Sequence, residues 1–246
     1  RRLNGQKISE LNIIGQDITA YGRDLGKNTS LPVLIKKILK AAPSIGWFRL
    51  LYLYPSRVSE DLLCLMRDEP RICKYIDVPI QHTSDRILSL MNRRTRKKDI
   101  IALVEKIRRI VPGVAIRTAL ITGFPSETDK DFKEMVSFIR QMKFERLGVF
   151  MYSREESTPA YDFPRQVPYK TKEARLNALM SAQQEISEEI NSNYMGREIQ
   201  VLIDGPEDKG MYLGRSRHDA PDVDGNVFVR SSRILKPGEF VNVKIS

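Results

Sequence analysis

Val114-Ala115-Ile116-Arg117-Thr118-Ala119-Leu120-Ile121-Thr122-Gly123-Phe124-Pro125-Ser126-Glu127-Thr128 is the stretch that decides the fold. The β-prone run from Val114 to Ile121 predicts a strand that ends at Gly123, and Thr128 to Met142 has helical period. The same order recurs on both sides. Upstream, Leu11-Asn12-Ile13-Ile14-Gly15 precedes Leu31 to Ala42, where Leu31, Leu34, Ile35, Ile38 and Leu39 share one helix face. Trp47 to Leu53 leads to a helix capped by Ser59, and Tyr75 to Ile80 leads to one capped by Ser84. A further helix is predicted over Lys97 to Val111, and a further strand over Leu147 to Tyr152. About five βα units predict an α/β fold of parallel strands with crossover helices, either most of a barrel or an open doubly wound sheet.

Past Tyr152 the rhythm changes. Pro159, Pro164 and Pro168 mark a crossing loop, and Thr171 to Asn193 reads as one long polar helix. Beyond Gly196 come short strand-like runs separated by Gly, Pro and Asp turns, which predict a small five-stranded all-β barrel. The expected division is 1–170, 171–194 and 195–246. The 246 residues carry a formal net charge of +10, which favours an anionic partner without establishing one. No apolar run reaches the roughly 18 residues of a membrane span, so no membrane association is expected. The two cysteines, Cys64 and Cys73, match no common zinc or iron–sulfur spacing and fit a reducing, cytoplasmic location. The abrupt start at Arg1-Arg2 suggests part of a longer protein, with residues missing ahead of or around Arg2.

In parallel α/β sheets ligands sit outside the carboxyl ends of the strands. Here those ends read Gly15-Gln16-Asp17, Tyr54-Pro55-Ser56, Gln81-His82-Thr83-Ser84, Thr122-Gly123-Phe124 and Tyr152-Ser153, all polar or glycine-bearing. One shared site on one edge is the simplest explanation.

Three stretches carry a family resemblance: Asp77-Val78-Pro79-Ile80-Gln81-His82-Thr83-Ser84-Asp85, Arg117-Thr118 through Gly123-Phe124-Pro125-Ser126-Glu127-Thr128, and Tyr152-Ser153 through Thr158-Pro159-Ala160. Together they resemble the radical S-adenosylmethionine (SAM) methylthiotransferases, over essentially the whole chain. The resemblance implies a partial TIM-like barrel followed by a TRAM domain. Gly214-Arg215-Ser216 and the segment from Asp219 to Gly225 are similar to the RimO branch, which methylthiolates the β-carbon of an aspartate in a small-subunit ribosomal protein. The rivals are the tRNA-modifying MiaB branch and a non-catalytic ribosome- or RNA-binding adaptor.

The resemblance implies SAM contact by Gln16, Asp17, Gln81, His82, Arg117, Gly123 and Tyr152. It implies two 4Fe–4S clusters in the parent protein, neither held by this chain, which alone would then be inactive, and an electron-donor protein. Ser126 stands where the family usually has Gly, so a positive φ there would strain it. The run Arg93-Arg94-Thr95-Arg96-Lys97-Lys98 is a candidate RNA contact. From Met195 to the end, acidic and basic residues balance at eight each, and Asp219, Asp222 and Asp224 share one loop. That loop is expected to dock a basic ribosomal protein.

Overall fold

The computed structural model describes residues 3–6, 8–26 and 29–246, with backbone alone at Leu3 and Asn4. The expectation concerning residues around Arg2 lies outside them. Five parallel strands, β1 (Glu10–Ile13), β2 (Trp47–Leu50), β3 (Ile72–Asp77), β4 (Ala115–Thr122) and β5 (Arg146–Met151), pair in sequence order. Helices α1 (Leu31–Ala41), α2 (Glu60–Asp68), α3 (Asp85–Leu90), α4 (Lys97–Ile110) and α5 (Asp129–Met142) provide the crossovers. Strands β2, β3 and β4 bury apolar residues against the helices, and β1 and β5 pack Leu11, Ile13, Leu147 and Val149 there half-buried. Phe48, Leu50, Ile72, Ile76, Ile116 and Leu120 join Ile35, Leu63, Ile107 and Phe138 in one core. Ser59 caps α2 by accepting from the Leu62 N–H, and Thr128 and Asp131 form a reciprocal capping box on α5.

A long helix, α6 (Tyr169–Ser192), packs on α5 and β5 and leads into the all-β module. The module has four antiparallel strands among the described residues, not the expected five. These are β6 (Glu198–Asp208), β7 (Met211–Ser216), β8 (Val227–Arg230) and β9 (Phe240–Lys244), in the order β8-β7-β6-β9. Gly214 lets β7 lie close to β6, since a Cβ there would fall 2.6 Å from the Leu202 carbonyl oxygen. Residues 217–226 form a loop between β7 and β8. β3 also begins earlier than predicted, at Ile72, so Cys73 lies inside the strand, where burial pushes its thiol up to about 11.

The other face of the parallel sheet meets the all-β module. Trp47, Cys73, Tyr75 and Ala115 pack against Leu202, Ala220 and Phe240. Around this apolar contact lies a set of buried ion pairs. Arg49, 0% exposed, donates to Glu10 at 2.8 Å, and Arg215 reaches the other Glu10 oxygen at 2.6 Å while also pairing with Asp204. Arg146 pairs with Asp219, whose second oxygen accepts from Ser216. Asp224 accepts from Tyr75 Oη at 2.6 Å, from Arg117 at 3.3 Å and from the Ala220 N–H at 2.9 Å.

These contacts correct the reading of the acidic loop. Asp219 and Asp224 are buried and already matched by barrel arginines, so they form an interdomain latch and are not free to attract a basic protein. Only Asp222, at φ +65°, remains exposed. Burial and the neighbouring Asp224 carboxylate push the Tyr75 phenol well up, so it stays a donor.

His218 closes the interface beside Tyr194, with Nδ1 3.0 Å from the phenol oxygen. Burial lowers its pKa to about 4. An unfolded histidine titrates near 6.5, so between pH 6.5 and 4 the unfolded chain takes the proton first. Stability should therefore be level above about pH 6.5 with respect to this group and fall by roughly 2–3 kcal/mol towards pH 4. Melting temperatures across that window should show the slope, and His218→Phe should remove most of it; an unchanged slope would contradict the assignment.

Candidate functional site

Because the five strands are parallel and adjacent, their carboxyl ends form one edge. Gln16 and Asp17 follow β1, Gln81 and His82 follow β3, Gly123 follows β4 and Tyr152 follows β5, so six of the seven proposed cofactor residues share it. The exception is Arg117. It lies near the start of β4, in register with Asp77, and its guanidinium is divided between Asp224 and Asp77, 3.3 and 3.6 Å away. It turns to the all-β module, so its charge is already balanced by structural partners.

The residues on the edge divide by whether their polar atoms are used. Asp17 caps the short 3-10 turn Ile18–Ala20, accepting from the Thr19 N–H, and pairs with Arg57. His82 is fully buried: its Nδ1 accepts from the Ser84 N–H at 2.9 Å and its Nε2 lies 3.2 Å from Glu127. An acceptor Nδ1 places the ring hydrogen on Nε2, so His82 donates to Glu127 and has no nitrogen left for a ligand. This corrects the reading of His82 as a cofactor contact. Gly123, at φ +73°, donates its N–H to Glu127 at 2.9 Å, and its open side faces Lys172, where a Cβ would fall 2.3 Å from Cγ. The close approach it permits is therefore to α6.

Glu127 is the residue that the sequence reading overlooked. Its buried carboxylate also accepts from Arg175 at 2.5 Å, and Arg175 extends to Asp129 at 2.7 Å. This cluster ties the loop after β3, the loop after β4 and α6 together. Glu127 was visible within the quoted motif, but Arg175, 48 residues away on a polar helix, carried no signal. The loop holds Ser126 at φ +69°, the strained conformation anticipated for a position that favours glycine.

Other polar groups on this edge and face have no protein partner. The Asn12 Oδ1 and the Tyr152 Oη are buried without a hydrogen bond, and Gln81 is half-buried at φ +72° with its backbone bonded to β4. Gln16 is exposed. Tyr152 meets Phe124 edge-to-face at 5.1 Å, and Phe150 stands 55% exposed on the same face. The edge thus combines an aromatic wall with unmatched amide and hydroxyl groups, which suits a ligand with both apolar and polar parts. Arg93, from the basic run, stacks 5.9 Å from the Tyr54 ring near this edge, while Arg94, Arg96 and Lys98 are exposed.

The Radical SAM superfamily profile matches residues 3–139, more than half of the chain. The chain belongs to the radical SAM superfamily. Residues 195–246 match the TRAM domain profile. Among curated relatives, the chain is 45% identical, over its whole length, to "Ribosomal protein uS12 methylthiotransferase RimO" of Geotalea uraniireducens. It is 46% identical over 97% of its length to the protein of the same name from Citrifermentans bemidjiense. It spans about half of each relative, 55% and 53% respectively. Among solved structures, coproporphyrinogen III oxidase (HemN) of Escherichia coli, described as a radical SAM enzyme, superposes with a TM-score of 0.54 at 20% identity. The match covers 76% of this chain and 41% of that one, and it supports the radical SAM fold.

The unpartnered Asn12 and Tyr152 atoms and the open aromatic wall fit SAM. Among the described residues no three His, Cys, Asp or Glu side chains stand together as a metal site. No helix of the described residues is long and apolar enough to cross a membrane.

Proposed function

We propose that this chain is the barrel and TRAM portion of a methylthiotransferase that modifies an aspartate β-carbon in a small-subunit ribosomal protein. The carrying observation is 42–46% identity over 97–100% of the chain to proteins named for that activity on uS12. The nearly neutral terminal module agrees, because a domain that gripped tRNA phosphates would be clearly basic. SAM, when bound, supplies the radical and methyl chemistry that an unactivated carbon requires, since such a carbon has no acidic proton for a general base. Two 4Fe–4S clusters and an electron-donor protein belong to this reading, with the clusters held by a part of the enzyme that this chain does not span.

The chain's own residues bind and shield. Gln16, Gln81 and Asn12 offer side-chain donors and acceptors to the polar end of SAM, while Tyr152 and Phe150 provide a flat wall for its adenine. Asp17, His82, Gly123 and Arg117 act behind them, fixing the loops and the interdomain contact that shape the cleft. Glu127 and Arg175 hold the loops after β3 and β4 rigid, which keeps the edge in one geometry. Arg94, Arg96, Lys97 and Lys98, with Arg93 on Tyr54, would touch ribosomal RNA when the substrate is presented on a ribosomal particle.

The activity is tested by incubating the full-length, cluster-reconstituted enzyme anaerobically with SAM, reductant and either the small-subunit ribosomal protein or tRNA. Peptide mapping by mass spectrometry should find a methylthio group on one aspartate and none on tRNA adenosine. Modification of tRNA alone would contradict the reading.

A further inference from the structure

β5 is an edge strand whose outer side no strand occupies among the described residues. Its phase follows from one bond. Tyr152 donates its N–H to the Thr122 carbonyl, and Thr122 is in register with Met151. In a parallel ladder the even-numbered residues of β5 then face β4, and the N–H and C=O groups of Leu147, Val149 and Met151 point outward. The segment Leu147-Gly148-Val149-Phe150-Met151 contains no charge and no proline. It lacks the usual devices that keep an edge from pairing.

A groove of about 650 Å³ lies at the start of this edge, between α6 and the 223–225 loop, with Leu147 in its lining. Its walls include Met180 and Val223, which are 41% and 55% exposed. With Phe150 further along, three large apolar side chains stand in water beside one unpaired backbone. The edge then runs directly to Tyr152 at the candidate site.

We propose that the outer edge of β5 is a strand-addition site that receives an extended segment of the protein substrate. A row of alternating amide donors and carbonyl acceptors is complementary to another polypeptide backbone, and not to a phosphodiester chain. Apolar side chains of the incoming strand fill the space between Met180 and Val223. Register along β5 then sets which residue emerges at the strand ends beside Tyr152. The inference rests on the reading that the substrate is a protein.

The test is hydrogen exchange on the full-length enzyme, alone and with the ribosomal protein, followed in peptides covering 146–152. The amides of Leu147, Val149 and Met151 should exchange readily in the free enzyme and slow at least about tenfold in the complex. Three results would overturn the proposal: slow exchange in the free enzyme, which means that its own chain covers the edge; protection that rises with enzyme concentration alone, which means a second copy; or no change on binding. Met151→Pro deletes an outward N–H while leaving the β4 ladder intact, and proline is tolerated at such edges. It should raise KM for the ribosomal protein about tenfold with kcat within twofold, while Met151→Ala stays near wild type. Equal behaviour of the two variants would also overturn it. If the wild-type enzyme fails to modify the ribosomal protein, the functional reading itself fails; modification with an unprotected β5 edge refutes the strand-addition site alone.

Discussion

Replacing Glu127 with Ala should cost about 3–5 kcal/mol of folding stability, because it strands buried partners without a counter-charge. The carboxylate accepts from Arg175, the Gly123 N–H, Thr122 and His82. With it gone, the Arg175 guanidinium keeps only the exposed Asp129, and the His82 Nε2–H points into a void. In a chain of this size the loss corresponds to a fall of roughly 10 °C in Tm. Glu127→Gln keeps the acceptor oxygen and should lose less. Glu127→Leu with Arg175→Met should recover much of the loss, since an apolar pair of similar volume avoids the desolvation penalty. Urea denaturation of the three variants checks this; a Glu127→Ala cost below about 1 kcal/mol would show that the cluster is not the clamp described.

The second large effect is expected at Glu10. One oxygen holds Arg49, which is completely buried, and the other holds Arg215 from the TRAM domain. Glu10→Ala leaves two guanidiniums facing each other across the interface, one of them keeping Asp204 and the other a single carbonyl, that of Arg217. The expected loss is again about 3–5 kcal/mol, focused on the interdomain contact. Amides of β6 and β7 should exchange faster, while those of β3 and β4 change less. Uniform loosening of both domains would show that Glu10 supports the barrel alone.

These two sites also mark where the sequence stopped being readable. The βα order could be read because apolar period switches from two to 3.6 at each strand–helix junction, as at Ile121 and Thr128. Parallel pairing in chain order then placed Gln16, Gln81, Gly123 and Tyr152 on one edge without further information. Ion pairs follow no such periodicity. Glu10 and Arg215 are 205 residues apart, and nothing local indicates that they meet. For the same reason Asp219, Asp222 and Asp224 read as an acidic surface, although barrel arginines bury two of them. The resemblance implies ligand contacts for Arg117 and His82, yet both find protein partners. The β module has four strands among the described residues where five were expected, and the segment between β7 and β8 is a loop whose Asp219 and Asp224 pair with barrel arginines.

The proposed place of SAM is the carboxyl edge of the sheet, where groups that have no protein partner would hold it. Its most direct test is calorimetric titration of SAM into the full-length, cluster-reconstituted enzyme and its Gln81→Ala and Tyr152→Phe variants. Each should bind SAM about tenfold more weakly, the loss of one or two hydrogen bonds, while Asp222→Asn binds like wild type. Unchanged SAM affinity in both edge variants would contradict the claim.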